Sequence, residues 1–102
     1  MSRQDVETAI EETLPKLSRL GALVRFDLGQ DGHYIIDARG GKAVLAHGDD
    51  SALDEDCVIR ITADNLMKLI RGQMDPMLGY TMGRIKVAGS MGVAMKLVGA
   101  IA

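Results

Sequence analysis

The chain has 102 residues, with 12 Lys and Arg against 14 Asp and Glu and a net charge of −2. That length suits one small domain, residues 1–102, able to hide roughly 60–70% of its unfolded surface. There is no block of positive charge, so nucleic acid would gain little from counterion release and is excluded as a partner. No apolar run approaches the ~20 residues of a bilayer span, so stable membrane insertion is not expected.

The start, MSRQDVETAIEET, is polar and acidic, unlike a secretory or mitochondrial leader. The final AIA is no peroxisomal address. A lone cysteine, Cys57, cannot close an intramolecular disulfide and suits a reducing compartment. A cytoplasmic setting is therefore expected.

The first element reads as a helix. Ser2 can cap it, and Val6, Ile10, Leu14 and Leu17 recur at near-helical spacing. Asp5, Glu7, Glu11 and Glu12 mostly take the other face. Pro15 should break or kink the helix, unless Thr13 caps a second short one.

Strand pattern begins at Gly21, with Val24, Phe26 and Leu28 alternating against Arg25 and Asp27. GQDGH turns the chain into YIIDA, and RGGK turns it again into AVLAHG. A three-residue loop from Gln30 to Gly32, with Gly32 left-handed, sets Phe26 opposite Ile36 and keeps both on one face. A two-residue turn at Gly40-Gly41 pairs Ala38 with Ala43, Ile36 with Leu45 and Tyr34 with His47. After an acidic connection, CVIRIT is a fourth strand with Cys57, Ile59 and Ile61 on one face and Arg60 on the other.

Thr62 can cap the next helix, striped by Leu66, Met67, Leu69 and Ile70 and stopped by Gly72. Asp75-Pro76 starts a short helix expected to hold Met77, Leu78 and Met82 inside, and Gly83 breaks it. RIKVA is a fifth strand with Ile85 and Val87 inward. Ser90 caps a last helix with Met91, Ala94, Met95 and Val98 on one face. A three-stranded meander followed by two strands separated by helices gives the fold class: α+β, a five-stranded, mostly antiparallel sheet with a crossover and helices packed on one face.

Little catalytic chemistry stands out. Cys57 follows Asp54, Glu55 and Asp56, which should raise its pKa, so a buried strand thiol is expected in place of a nucleophile. His33 and His47 do not sit at a zinc-ligand spacing and read as rim histidines. The acidic run from Asp49 to Asp56 lacks the ligand alternation, central Gly and terminal Glu of a calcium loop. GGKA is no phosphate loop. Gly89 and Gly92 have the G-x-x-G spacing of a KH clamp, but Ser90-Met91 between them supplies no cation. No catalytic residue, metal or cofactor is therefore assigned, and an enzyme is not expected.

What remains is methionine. Aromatics are 3% of the chain, there are 7 Met, and beyond Met1 all lie between Met67 and Met95. Such side chains either fill gaps in a core or line an adaptable apolar surface that repacks around varied partners.

The stretch Cys57 to Leu97 resembles the sterol carrier protein domain, the non-specific lipid-transfer family. The resemblance rests on Leu66 and Leu69, Gly72, Asp75-Pro76, Tyr80, Gly83-Arg84-Ile85-Lys86-Val87, Gly89, Met91-Gly92 and Met95-Lys96-Leu97 in order. YIIDARGGKAVLAHG is more loosely similar to the family's second and third strands. The resemblance implies helices enclosing an apolar tunnel over the sheet. It also implies non-catalytic binding of a fatty-acyl, sterol-like or isoprenoid chain, in a bacterial-type stand-alone member. Phe26, Ile36, Leu66, Ile70, Met74, Met77, Leu78, Met82, Met91 and Met95 are then the candidate tunnel wall, each of which could equally be ordinary core. Gly79, where family members often have Ala, should loosen the short helix or widen the tunnel. The expected partner is a lipid or other long apolar ligand. The alternative is an interaction module that docks a second copy of the chain or a partner enzyme.

Overall fold

Five short strands form one sheet in the order β3-β2-β1-β4-β5, in a computed structural model that describes residues 3–47 and 54–102. They are β1 (Leu23–Asp27), β2 (His33–Asp37), β3 (Val44–His47), β4 (Cys57–Arg60) and β5 (Lys86–Gly89). The α+β architecture expected from the sequence is present. Neighbouring strands are antiparallel except β1 and β4, which run parallel. A parallel pair requires a crossover. Here the chain leaves β3 at one edge and re-enters at β4, beyond β2 and β1.

The second hairpin has the expected register, with Tyr34 opposite His47 and Ile36 opposite Leu45. Of its two glycines only Gly41 takes a positive φ, +83°. The first hairpin differs from the expectation by two residues: Phe26 faces Tyr34, and Ile36 faces Val24. Its loop is a 3-10 turn at Gly29–Asp31, closed by the Leu28 amide donating to the Gly32 carbonyl at 2.9 Å. Gly29 supplies the left-handed turn (φ +65°), while Gly32 pairs φ +98° with an extended ψ of −171°. A two-residue slip leaves every side chain on its original face, so face matching alone could not distinguish the registers.

One face of the sheet carries Val24, Phe26, Tyr34, Ile36, Cys57 and Ile59, all buried. Helix α1 (Arg3–Thr13), α2 (Ala63–Ile70) and α4 (Met91–Ile101) contribute Val6, Ile10, Leu66, Leu69, Leu97 and Val98 to the same core. Each fully buried side chain of this size favours folding by roughly 1.5–3 kcal/mol. Pro15 ends α1 as expected, by way of a 3-10 turn at Leu14–Leu17. Thr13 caps nothing: its hydroxyl donates back to the Ile10 carbonyl at 2.6 Å. The Ser2 cap and the first part of the acidic run lie outside the described residues, as does the His47 side chain.

The opposite face is more covered than simple alternation suggests. Leu23 and Ile35 are fully buried there, and Arg25, read from the sequence as a polar-face residue, is nearly so. The Arg25 guanidinium pairs with Glu55. The Asp56 carboxylate accepts from the Leu23 amide at 2.8 Å, while the Asp56 amide donates to the Leu23 carbonyl at 2.7 Å. Glu55 and Asp56 therefore tie the segment before β4 to β1, in part through charge-assisted hydrogen bonds.

Candidate functional site

Three side-chain caps position the segment from Thr62 to Ile101. The Thr62 hydroxyl accepts from the Asn65 amide at 3.1 Å and starts α2. The Asp75 carboxylate accepts from the Met77 amide at 3.3 Å and starts α3 (Pro76–Thr81), with Pro76 in its first turn. The Ser90 hydroxyl accepts from the Val93 amide at 3.2 Å and starts α4. Each cap satisfies an amide that the first helical turn leaves without a partner. Gly72 and Gly83, both at positive φ, turn the chain out of α2 and α3.

Gly89 joins β5 to α4 under the tightest constraint. Its φ is +91°, and an added Cβ would stand 2.6 Å from the Asp56 carbonyl oxygen and 3.0 Å from Cys57 Cα. A side chain here would push β5 off β4. Gly89 and Ser90 thus make a strand-to-helix turn held to the sheet by the Ser90 amide, which donates to the Asp56 carbonyl at 2.8 Å.

The ten candidate wall residues separate into three groups. Phe26, Ile36 and Leu66 are fully buried in the common core. Ile70, Met74 and Met95 are half-buried and packed against it. Met77, Leu78, Met82 and Met91 are exposed by 60%, 56%, 56% and 39%. The expectation that α3 turns Met77, Leu78 and Met82 inward is therefore corrected. So is the shared inward face of α4: Ala94, Leu97, Val98 and Ile101 are buried, while Met91 is not.

The physical reason is α3's length. A helix of 6 residues has room for one close contact, and Gly79 is its only buried residue. An added Cβ on Gly79 would lie 3.1 Å from both Met74 Sδ and Ile85 Cδ1. The missing methyl opens no space; Met74 and Ile85 occupy it. With Gly79 as the footing, the large side chains of α3 are left facing outward.

Cavities among the described residues include two that lie between secondary-structure elements. One, of about 510 Å³, lies at the end of the sheet between Asp27, Leu28, Arg60, Ile61, Thr62, Asn65, Gly83, Arg84 and Lys86. The other, of about 370 Å³, lies between α1 and α2, lined by Gln4, Asp5, Thr8, Glu12, Met67, Ile70 and Arg71. Of the ten candidates only Ile70 lines either. The cationic lining of the first cavity was missed in the sequence. Its one signal was that Arg60 and Lys86 occupy polar positions of strands that later prove to be neighbours.

Burial and neighbouring groups shift some of the titratable side chains. The Cys57 thiol is pushed up to about 11, chiefly by burial and secondarily by the Asp56 charge, which leaves it protonated and inert. Glu55 is held below the usual carboxylate range, first by a hydrogen bond from its own backbone and then by Arg25. His33 Nε2 stands 3.7 Å from the Asp27 carboxylate. Among the described residues no three His, Cys, Asp or Glu side chains gather to hold a metal ion. Nor is any helix long and apolar enough to cross a membrane.

A five-stranded crossover sheet with capped helices over one face, the last entered through a Gly-Ser turn, defines a small α+β class of apolar-core domains. Within it, the chain belongs to the SCP-2 sterol transfer family, whose model matches residues 4–102. Sterol carrier protein 2 of Oryctolagus cuniculus is 31% identical over 101 residues, covering 92% of this chain and 18% of that protein. The sterol carrier protein domain 2 of Helicoverpa armigera has a similar structure, with a TM-score of 0.67 at 25% identity over 95% of this chain and 80% of that one. Palmitated SCP2L2 from Aedes aegypti shares the fold with a TM-score of 0.68 at 16% identity, covering 94% of this chain and 93% of that chain. The chain spans about a fifth of the length of the rabbit protein.

Proposed function

We propose that the chain binds one long apolar molecule, fatty-acyl, sterol-like or isoprenoid, without transforming it. The molecule lies against α3 and the start of α4, between Met74, Met77, Leu78, Met82, Met91 and Met95, and the helices close over it as the wall of an apolar tunnel. The observation that carries this reading is the exposure of Met77, Leu78, Met82 and Met91. Five of the six large hydrophobic residues exposed among the described residues, these four with Tyr80, fall between positions 77 and 91. Apolar surface concentrated in this way marks a site that something else covers. A chain covering it gains ~0.8 kcal/mol per buried methylene before the cost of binding. Methionine side chains, flexible and polarizable, adapt to different chains and favour broad specificity.

The test is native mass spectrometry after incubation with mixed fatty acids, phospholipids and quinones, followed by titration of the double variant Leu78→Gln Met82→Gln. An adduct removable by organic extraction is expected. Both side chains are exposed, so the variant should keep its fold by circular dichroism and lose at least about tenfold in affinity. Unchanged affinity in the folded variant would place the ligand elsewhere.

A second reading is an interaction module, in which the same face docks a second copy or a partner enzyme. It draws on the 18% of the rabbit relative that the chain spans, since the domain there is part of a longer protein. A clean apo mass with a concentration-dependent dimer would favour it. A stand-alone bacterial role in the cytoplasm is the setting proposed for the lipid reading, and cell fractionation tests it.

A further inference from the structure

The cavity at the end of the sheet has an unusual charge arrangement. Arg60 and Lys86 are direct Cα partners across β4 and β5. Like charges at directly opposed positions of an antiparallel pair destabilise it. Arg84 joins them in the lining, so the cleft has three cations and a single carboxylate, Asp27. This concentration occurs in a chain whose overall charge is −2.

Asp27 does not neutralise the group. Its carboxylate is divided among Arg60 Nε at 3.3 Å, His33 Nε2 at 3.7 Å and the Gly29 amide at 2.9 Å. Arg84 and Lys86 have no carboxylate partner among the described residues. The start of α2 lies at the same place, with Thr62 and Asn65 in the lining. The positive end of its dipole adds to the field there. The floor is apolar: Leu28 and Ile61 are both buried.

We infer that this cleft is an anion site that takes a phosphate group. Three cations around a cavity of about 510 Å³ exceed what a lone carboxylate would occupy or neutralise. A phosphate, with up to two charges and several acceptor oxygens, can accept from Arg84 and Lys86 together and relieve the repulsion between Lys86 and Arg60. Met82, exposed on the apolar face, is followed directly by Gly83 and Arg84 of the cleft. A phosphate at the head of an amphiphile can therefore sit in the cleft while its chain lies on α3, an extension that rests on the lipid reading above. A free phosphate would use the same cations.

The experiment follows amide shifts in the intact protein with three probes: inorganic diphosphate, decyl phosphate and decanol. Inorganic diphosphate should shift Gly83, Arg84, Lys86 and Asn65, with an affinity that weakens as salt is added. Decyl phosphate should bind about tenfold more tightly than decanol, as expected for charge-assisted contacts at a partly exposed site. Arg84→Gln and Lys86→Gln are surface changes that should remove that advantage without altering decanol binding. Lys68→Gln, an equal charge change on α2 outside the cleft, should leave it intact.

If neither diphosphate nor decyl phosphate shifts the cleft residues while decanol binds at α3, the anion site is overturned and the lipid reading stands. If diphosphate shifts them while no chain binds α3, the anion site stands as a site for a free phosphate and the lipid reading falls. If Lys68→Gln weakens phosphate binding as much as Lys86→Gln does, the effect belongs to overall charge and the site is overturned.

Discussion

Replacing Gly89 by alanine should destabilise the protein more than the same change at Gly72, another glycine at positive φ. Two effects add. Holding alanine at φ +91° costs about 1–2 kcal/mol of left-handed strain. The new Cβ would also stand 2.6 Å from the Asp56 oxygen and 3.0 Å from Cys57 Cα. Both are backbone atoms, so no rotamer change relieves the contact and β5 must shift. That shift weakens the Ser90–Asp56 hydrogen bond of 2.8 Å, worth about 1 kcal/mol. The total is about 2–4 kcal/mol, or roughly 10–20 °C in Tm for a chain of this size. Gly72→Ala is the control: its φ is +72°, and nothing lies within 4 Å of the added Cβ. It should lose only about 5–9 °C, from strain alone. Thermal melts of both variants by circular dichroism make the comparison. Equal losses would show that β5 accommodates the methyl group freely and would refute the close-approach argument.

Gly79→Ala should behave differently. Alanine gains about 1 kcal/mol in helix propensity, and its contacts at 3.1 Å are with the side-chain ends of Met74 and Ile85. Urea midpoints should stay within about 1 kcal/mol of wild type while the Met74 methyl resonance moves; a loss above about 2 kcal/mol would mean that Ile85 cannot give way. Hydrogen bonds from the Arg39 guanidinium, and secondarily from the Arg39 backbone amide, lower Asp37 from 3.8 to about 2. A depressed carboxylate contributes stability above its unfolded pKa that is lost as pH falls through the folded one. Wild type should therefore exceed Arg39→Gln in urea stability at pH 6, with the gap closing as pH falls from about 4 to about 2. Cys57, buried with its thiol raised to about 11, should resist iodoacetamide at pH 8 in the native protein and label fully in guanidinium.

Much of the fold was legible because its determinants are local. Thr62, Asp75 and Ser90 each cap a helix through an amide two or three residues ahead, a distance over which sequence spacing specifies geometry. Alternation assigned Val24, Phe26, Cys57 and Ile59 to the buried face, and the Gly40-Gly41 spacing set the register of the second hairpin. The candidate site was less legible. Its methionines were identified as a group, but whether a side chain on a 6-residue helix faces the core depends on what packs beneath it. Here that is Gly79 on Met74 and Ile85.

By itself the sequence determined element identity, the starts of α2, α3 and α4, most strand faces and family, since each follows from residues within a turn or a pleat of one another or from an ordered motif. Tertiary structure alone decided the rest. It placed Gly29–Asp31 in the first turn, because registers two residues apart present the same faces. It buried Arg25 against Glu55, 30 residues away. It also set Arg60 beside Lys86 through the pairing of β4 with β5. Contacts between distant segments depend on register and on which element covers which, and no local pattern of residues encodes either.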